Sequence, residues 1–239
     1  MKYLLVVISF GMIFSAMSAQ KVVFSTTVAH DTTDNVKPPT HTLRLFVEGS
    51  AMISTTPSES QMAKQVSGMN FNIGLTYNHR YIPQAAYGFE LAMKTRKYNM
   101  LKDSSKIFPD SILHEKEYLL VSGFEVVAYH RFYFFLKRHK NAQGPVFDIG
   151  VFGHWNGSSY HYTKDKNAES SMYGYTTAMQ YHPKYIHAFD AGGMVRFGIN
   201  HYLIFAQYRL TDLLEPSYRK APYNFTSLSR LEVGIRLGL

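Results

Sequence analysis

The C-terminal stretch Arg230-Leu-Glu-Val-Gly-Ile-Arg-Leu-Gly-Leu239 alternates without a break. Leu231, Val233, Ile235, Leu237 and Leu239 fall on one side of an extended chain, and Arg230, Glu232, Gly234, Arg236 and Gly238 on the other. Successive side chains of a β-strand point to opposite faces, so a period of two marks a strand with one apolar and one polar face. The stretch 201–212 repeats the pattern, with Tyr202, Ile204, Ala206, Tyr208 and Leu210 set against Leu203, Phe205, Gln207 and Arg209.

Working outward, the same alternation recurs near 41–53, 67–79, 85–98, 117–134, 145–160 and 186–199, between clusters of Gly, Pro, Asn, Asp and Ser. That makes eight segments. One face collects Leu, Ile, Val and Phe. The other collects Arg44, Lys94, Arg196, Arg209, Arg230 and Arg236 against Glu48, Glu90, Glu125, Asp148, Asp190 and Glu232, with glycines between them. Long connections at about 54–66, 99–116, 161–185 and 213–225 alternate with shorter ones. An antiparallel up-and-down barrel has this rhythm, with short turns at one rim and long loops at the other. The expected fold is therefore all-β, an eight-stranded antiparallel up-and-down transmembrane barrel over 41–239. Tyr173, Tyr175 and Thr177 alternate again inside 161–185, so a hairpin there gives a ten-stranded alternative.

Composition and the N-terminus narrow the class. The 239 residues include no cysteine, which excludes disulfide scaffolds and thiolate metal sites, and 18% charged with 15% aromatic residues is unlike a disordered chain. Lys2 followed by an apolar run to Phe14 and the small residues Ala16 and Ser18 is the pattern of a cleaved secretory signal over 1–19, cut after Ser18 or Ala19. Residues 20–40, with Pro38-Pro39, read as a short periplasmic extension.

Eight two-faced strands can close with either face inward. A soluble lipocalin-like carrier hides the apolar face; a membrane barrel hides the charged one. Arg at mid-depth on a lipid-facing surface costs about 2–4 kcal/mol, so in a bilayer only the charge-inward barrel survives. Aromatics at the strand ends, among them Tyr77, Tyr81, Trp155 and Tyr202, suit interfacial girdles. The equal numbers of acids and bases suit a narrow interior in which charges must pair.

The signal segment, the two-faced strands, the stretch 203–214 and the terminal strand 230–239 resemble the small outer-membrane β-barrel family common in Bacteroidetes, related in architecture to the OmpA and OmpX barrels. The resemblance covers roughly 40–239. It implies a bacterial outer-membrane location and partners in outer-membrane lipid and lipopolysaccharide, with envelope proteins as further candidates. Many such barrels end in an aromatic residue, where Leu239 stands here.

Eleven histidines invite a metal or catalytic reading, yet no zincin spacing, Gly-rich phosphate loop or G-x-S-x-G is present. No cofactor or metal is expected. His154, Asn156 and Ser158 share one face by strict alternation and form a candidate rim polar cluster. A lipid-modifying enzyme would use His154 and Ser158 with partners from neighbouring strands, because four residues of strand separate the two by roughly 13 Å and a dyad within the strand cannot work. The expected role is thus structural, adhesive, ligand-binding or envelope-assembling, through loops 99–116, 161–185 and 213–225. The net charge of +8 is read toward lipopolysaccharide phosphates through bases such as Lys97, Lys102, Lys106, Lys164, Lys166, Arg219 and Lys220, and not toward nucleic acid. The cluster Lys137-Arg-His-Lys140 falls on the periplasmic side and reads as a solvated turn.

Overall fold

The computed structural model describes residues 40–239 apart from 61–62, 65, 103–107, 109–111, 135–143, 167–173, 200 and 221–224. The signal segment, the extension up to residue 39, Lys106 and the basic cluster 137–140 lie outside the described residues.

Among the described residues nine antiparallel strands form: β1 (His41–Ile53), β2 (Val66–Ile82), β3 (Ala85–Asn99), β4 (Lys116–Tyr133), β5 (Pro145–Lys166), β6 (Tyr175–Tyr181), β7 (Phe189–Ile199), β8 (Tyr202–Arg209) and β9 (Leu231–Gly238). Eight of them close a ring in the order β1-β2-β3-β4-β5-β7-β8-β9, with β9 returning to β1. The fold is an eight-stranded barrel. Strand β6 stands outside the ring and pairs only with β5, Tyr160–Lys166 against Tyr175–Tyr181. The ten-stranded alternative fails for that reason: β5 has already met β7 through Pro145–Trp155, and the remainder of β5 runs on as one arm of a hairpin.

Alternation sets the two faces. Leu91, Val151 and Ile235 stand 56%, 63% and 58% exposed on the outside, while Arg196 and Glu125, on the opposite parity, are 1% and 0% exposed. Charges turn inward and apolar side chains outward, the reverse of the arrangement a carrier with an apolar interior needs. A continuous outer belt of Leu, Ile, Val and Phe is far larger than the apolar patches a water-soluble monomer tolerates. The belt is bounded by aromatics. At the short-turn rim His41 bonds the Tyr77 hydroxyl at 2.7 Å, Tyr81 bonds His130 at 2.7 Å, and Tyr81 stacks on Tyr87. At the other rim Trp155 lies parallel to Phe124, 6.1 Å between ring centroids.

Two layers fill the space within. Large side chains in the lumen sit over glycines: a Cβ on Gly88 would come within 2.3 Å of the Tyr129 ring, so only glycine leaves room for it. Above the charged lumen, the long connections fold back into an apolar cluster of Met52, Tyr98, Met100, Phe108, Leu119, Val121, Tyr185, Leu213, Leu214, Phe225 and Leu228. Phe108 meets Tyr185 and Phe225 edge-on at 5.1 and 4.7 Å. Isolated bridges Ala63–Met100 and Ile186–Leu214 tie the loops together. Loops expected only as contact surfaces thus also cap the barrel with a packed core.

Candidate functional site

Inward-facing positions on seven neighbouring strands bring the predicted charges into two clusters. Toward the short-turn side, Glu90 accepts two hydrogen bonds from Arg196, at 2.7 and 2.8 Å, and a third from Arg236 at 2.7 Å. Glu48 lies 3.7 Å from Arg196 and 3.6 Å from Arg236, and accepts a 2.6 Å bond from the Asn72 amide. The Arg236 guanidinium rests 3.5 Å over the Phe46 ring. Tyr129 donates to Asn78 at 2.6 Å and shares a 2.8 Å bond with Thr76.

Nearer the loops, Lys94 donates to Glu125 at 2.9 Å and to Gln207 at 2.5 Å, and stands 3.0 Å from Glu232. Ser50 donates to Glu232 at 2.5 Å. Arg96 reaches Asp190 at 2.7 Å and Glu125 at 3.4 Å. Arg209 donates to the carbonyls of Leu228 and Ser229 at 3.2 Å, beneath the cap.

Two of the predicted bases sit elsewhere. Arg44 is half-buried near the short-turn mouth, and Arg230, just ahead of β9, pairs with Asp212 at the loop rim. Two bases outside the predicted set, both near strand ends, take their places in the lumen: Arg96, fully inside, and Arg131, which grips Asp148 with two 2.7 Å bonds. The interior then holds Lys94, Arg96, Arg131, Arg196, Arg209 and Arg236 against Glu48, Glu90, Glu125, Asp148, Asp190 and Glu232. Both have the inward parity of their strands, three residues from the end of β3 and two from the end of β4, so nearness to a strand end does not keep a long basic side chain out of the lumen.

The rim cluster does not assemble as alternation predicts. Ser122 lies opposite Ser158 and Phe124 opposite Trp155, so Asn156 and Gly157 together face Gly123 alone. This is a β-bulge, and it inverts the parity of β5 beyond it. His154 is buried and bonds Asn156 at 2.8 Å, and Asn156 donates to Asp190 at 3.2 Å. Ser158 is exposed on the outer face, while Ser159, His161 and Thr163 turn inward. His154 and Ser158 therefore point to opposite sides of the wall and cannot act as base and nucleophile. The Asn156-Gly157 pair inside a strand pattern is the signal that reveals this bulge. Gly123 is required there, because a Cβ at that position would lie 1.7 Å from the Trp155 carbonyl oxygen.

Such an interior can hold a wall rigid but offers a ligand little room. A narrow gap lined by Arg96, Tyr98, Phe152, Arg209 and Glu232 has space for about one water molecule. No three metal-ligating side chains converge among the described residues.

Beyond the belt, β5 and β6 continue with β4 as a sheet bearing Tyr118, Tyr160, Tyr162 and Tyr181. Burial raises the Tyr118 hydroxyl to about 12, reinforced by Tyr160 and Tyr162, so it stays neutral across physiological pH.

Comparison with known structures finds similarity to Ail, the attachment invasion locus protein of Yersinia pestis, in complex with the heparin analogue sucrose octasulfate. The TM-score is 0.30 at 10% identity, over 83% of this chain and 94% of Ail. No protein-family model matches the chain. No curated protein matches it either.

Proposed function

We propose that the chain is an integral outer-membrane β-barrel, delivered by a signal segment over 1–19 and anchored by 41–239, of the small-barrel type common in Bacteroidetes. One observation carries this reading: an unbroken apolar belt surrounds a lumen in which six acids meet six bases, named above. In water that arrangement exposes the wrong face, whereas in a bilayer it satisfies both. The barrel is a structural, adhesive or envelope-assembling component acting through its capped loop side, with outer-membrane lipid, lipopolysaccharide and envelope proteins as its partners. Its role is read as non-enzymatic, a reading that the divergence of His154 and Ser158 across the wall supports.

Fractionation tests the placement. The protein is expected to remain with outer membranes after an alkaline wash. Protease added outside intact cells should cut within 99–116 or 213–225 and spare the turn near 83–84. Recovery in the periplasmic extract would overturn the proposal.

A further inference from the structure

Above the belt, β3, β4, β5 and β6 extend as a four-stranded sheet whose outward face looks sideways from the barrel wall. Lys116 stands directly opposite Lys164 on that face. Like charges in a directly opposed antiparallel pair are destabilising. Nearby, the Lys97 ammonium lies 4.5 Å from the Tyr118 ring centre and the Lys164 ammonium 3.7 Å from that of Tyr175. Tyr118 stacks on Tyr162 at 4.8 Å with 20° between the rings.

The acids of the same strands face the other way. Glu117 bonds His161 at 2.8 Å and Asp165 bonds His114 at 2.7 Å, both from inner-face positions. Positive charge and flat aromatic rings are thereby concentrated on one face and negative charge on its reverse. Tyr162 lies seven residues beyond the girdle residue Trp155, one of them taken up by the bulge, which at a tilt of about 40° places it roughly 15 Å above the edge of the hydrocarbon. A sideways-facing surface at that height stands above the headgroup layer of an ordinary bilayer, about 5–8 Å thick, and the outer-leaflet group that reaches it is a phosphorylated core saccharide.

We propose that this face binds the phosphorylated saccharide head of the outer-leaflet glycolipid. Lys97, Lys116 and Lys164 meet the phosphates, and Tyr118, Tyr162 and Tyr175 lie against the sugar rings. An anion between Lys116 and Lys164 converts a repulsive pair into a bridge. The inference rests on the outer-membrane reading and gives it a definite partner site.

The test uses the full chain folded in zwitterionic detergent and titrated with rough lipopolysaccharide bearing a phosphorylated inner core, with the same glycolipid stripped of its phosphates, and with dextran sulfate. Bound lipid is counted by native mass spectrometry. The phosphorylated lipid should bind at least about tenfold tighter than the stripped one. The double variant Lys116→Gln/Lys164→Gln should lose roughly twenty-fivefold, from about fivefold per lysine, and Lys97→Gln about fivefold. Because the double variant relieves a repulsion, it should unfold no earlier on heating than the parent, which separates lost binding from lost folding. Equal binding of the two glycolipids, unchanged binding by the variants, or displacement of the phosphorylated one by an equal charge of dextran sulfate would overturn the assignment. Each result is independent of the fractionation above, because a barrel in micelles can fail this titration and still belong to the membrane.

Discussion

Glu90 is the residue on which most of the inner cluster depends, with Arg196 and Arg236 both held at 2.7 Å. Removing one partner of a buried ion pair leaves an uncompensated charge and costs about 3–5 kcal/mol. Glu90→Ala leaves two arginines short of a partner, so its unfolding midpoint in detergent should fall well below the parent's. Glu48 stands farther from the same arginines, at 3.6–3.7 Å, and Glu48→Gln keeps an acceptor for Asn72, so its midpoint should fall by less. Equal losses would show that the two carboxylates do not differ as their geometry implies. Gly123 gives a steric test at the same scale. Gly123→Val should block assembly outright, read as loss of the folded form on a refolding gel, because its Cβ has no space beside the Trp155 carbonyl.

At the scale of elements, strand identity was legible and strand depth was not. Two-residue alternation in 201–212 predicts β8 but overruns its end by three residues, and in 230–239 it predicts β9 to within one residue, since both strands are regular and faced by lipid on one side and charge on the other. The failure at Ser158 comes from a single extra residue: alternation read through the bulge assigns every later side chain of β5 to the wrong face. Arg96 and Arg131 fall outside the predicted set because they lie near strand ends, which does not keep a long basic side chain out of the lumen. The cap was invisible for another reason. Phe108, Leu213 and Phe225 are separated by up to more than a hundred residues in sequence, and no local period relates them. These elements separate experimentally. Phe108→Ala should cost the cap about 3–5 kcal/mol and speed proteolysis of the loops, while the barrel resists detergent as before. Replacing 165–180 by a short turn should likewise leave the barrel intact, because β6 pairs only with the β5 extension. A barrel that unfolds with either change would mean that loop packing and ring are one cooperative unit.

For the whole molecule, lumen and belt make one claim: closure of eight strands around paired charges, facing lipid. The filled interior predicts no stable single-channel conductance in planar bilayers, and regular open-state steps from the purified chain would contradict it. The most direct test of the claim itself is gel mobility of the membrane-fraction protein in dodecyl sulfate, unheated against boiled. A closed ring has no free edge among its eight strands for detergent to enter, so the unheated protein should run as a compact band that shifts on boiling. A single band at the boiled position in both lanes, with the protein in the soluble fraction, would contradict the account.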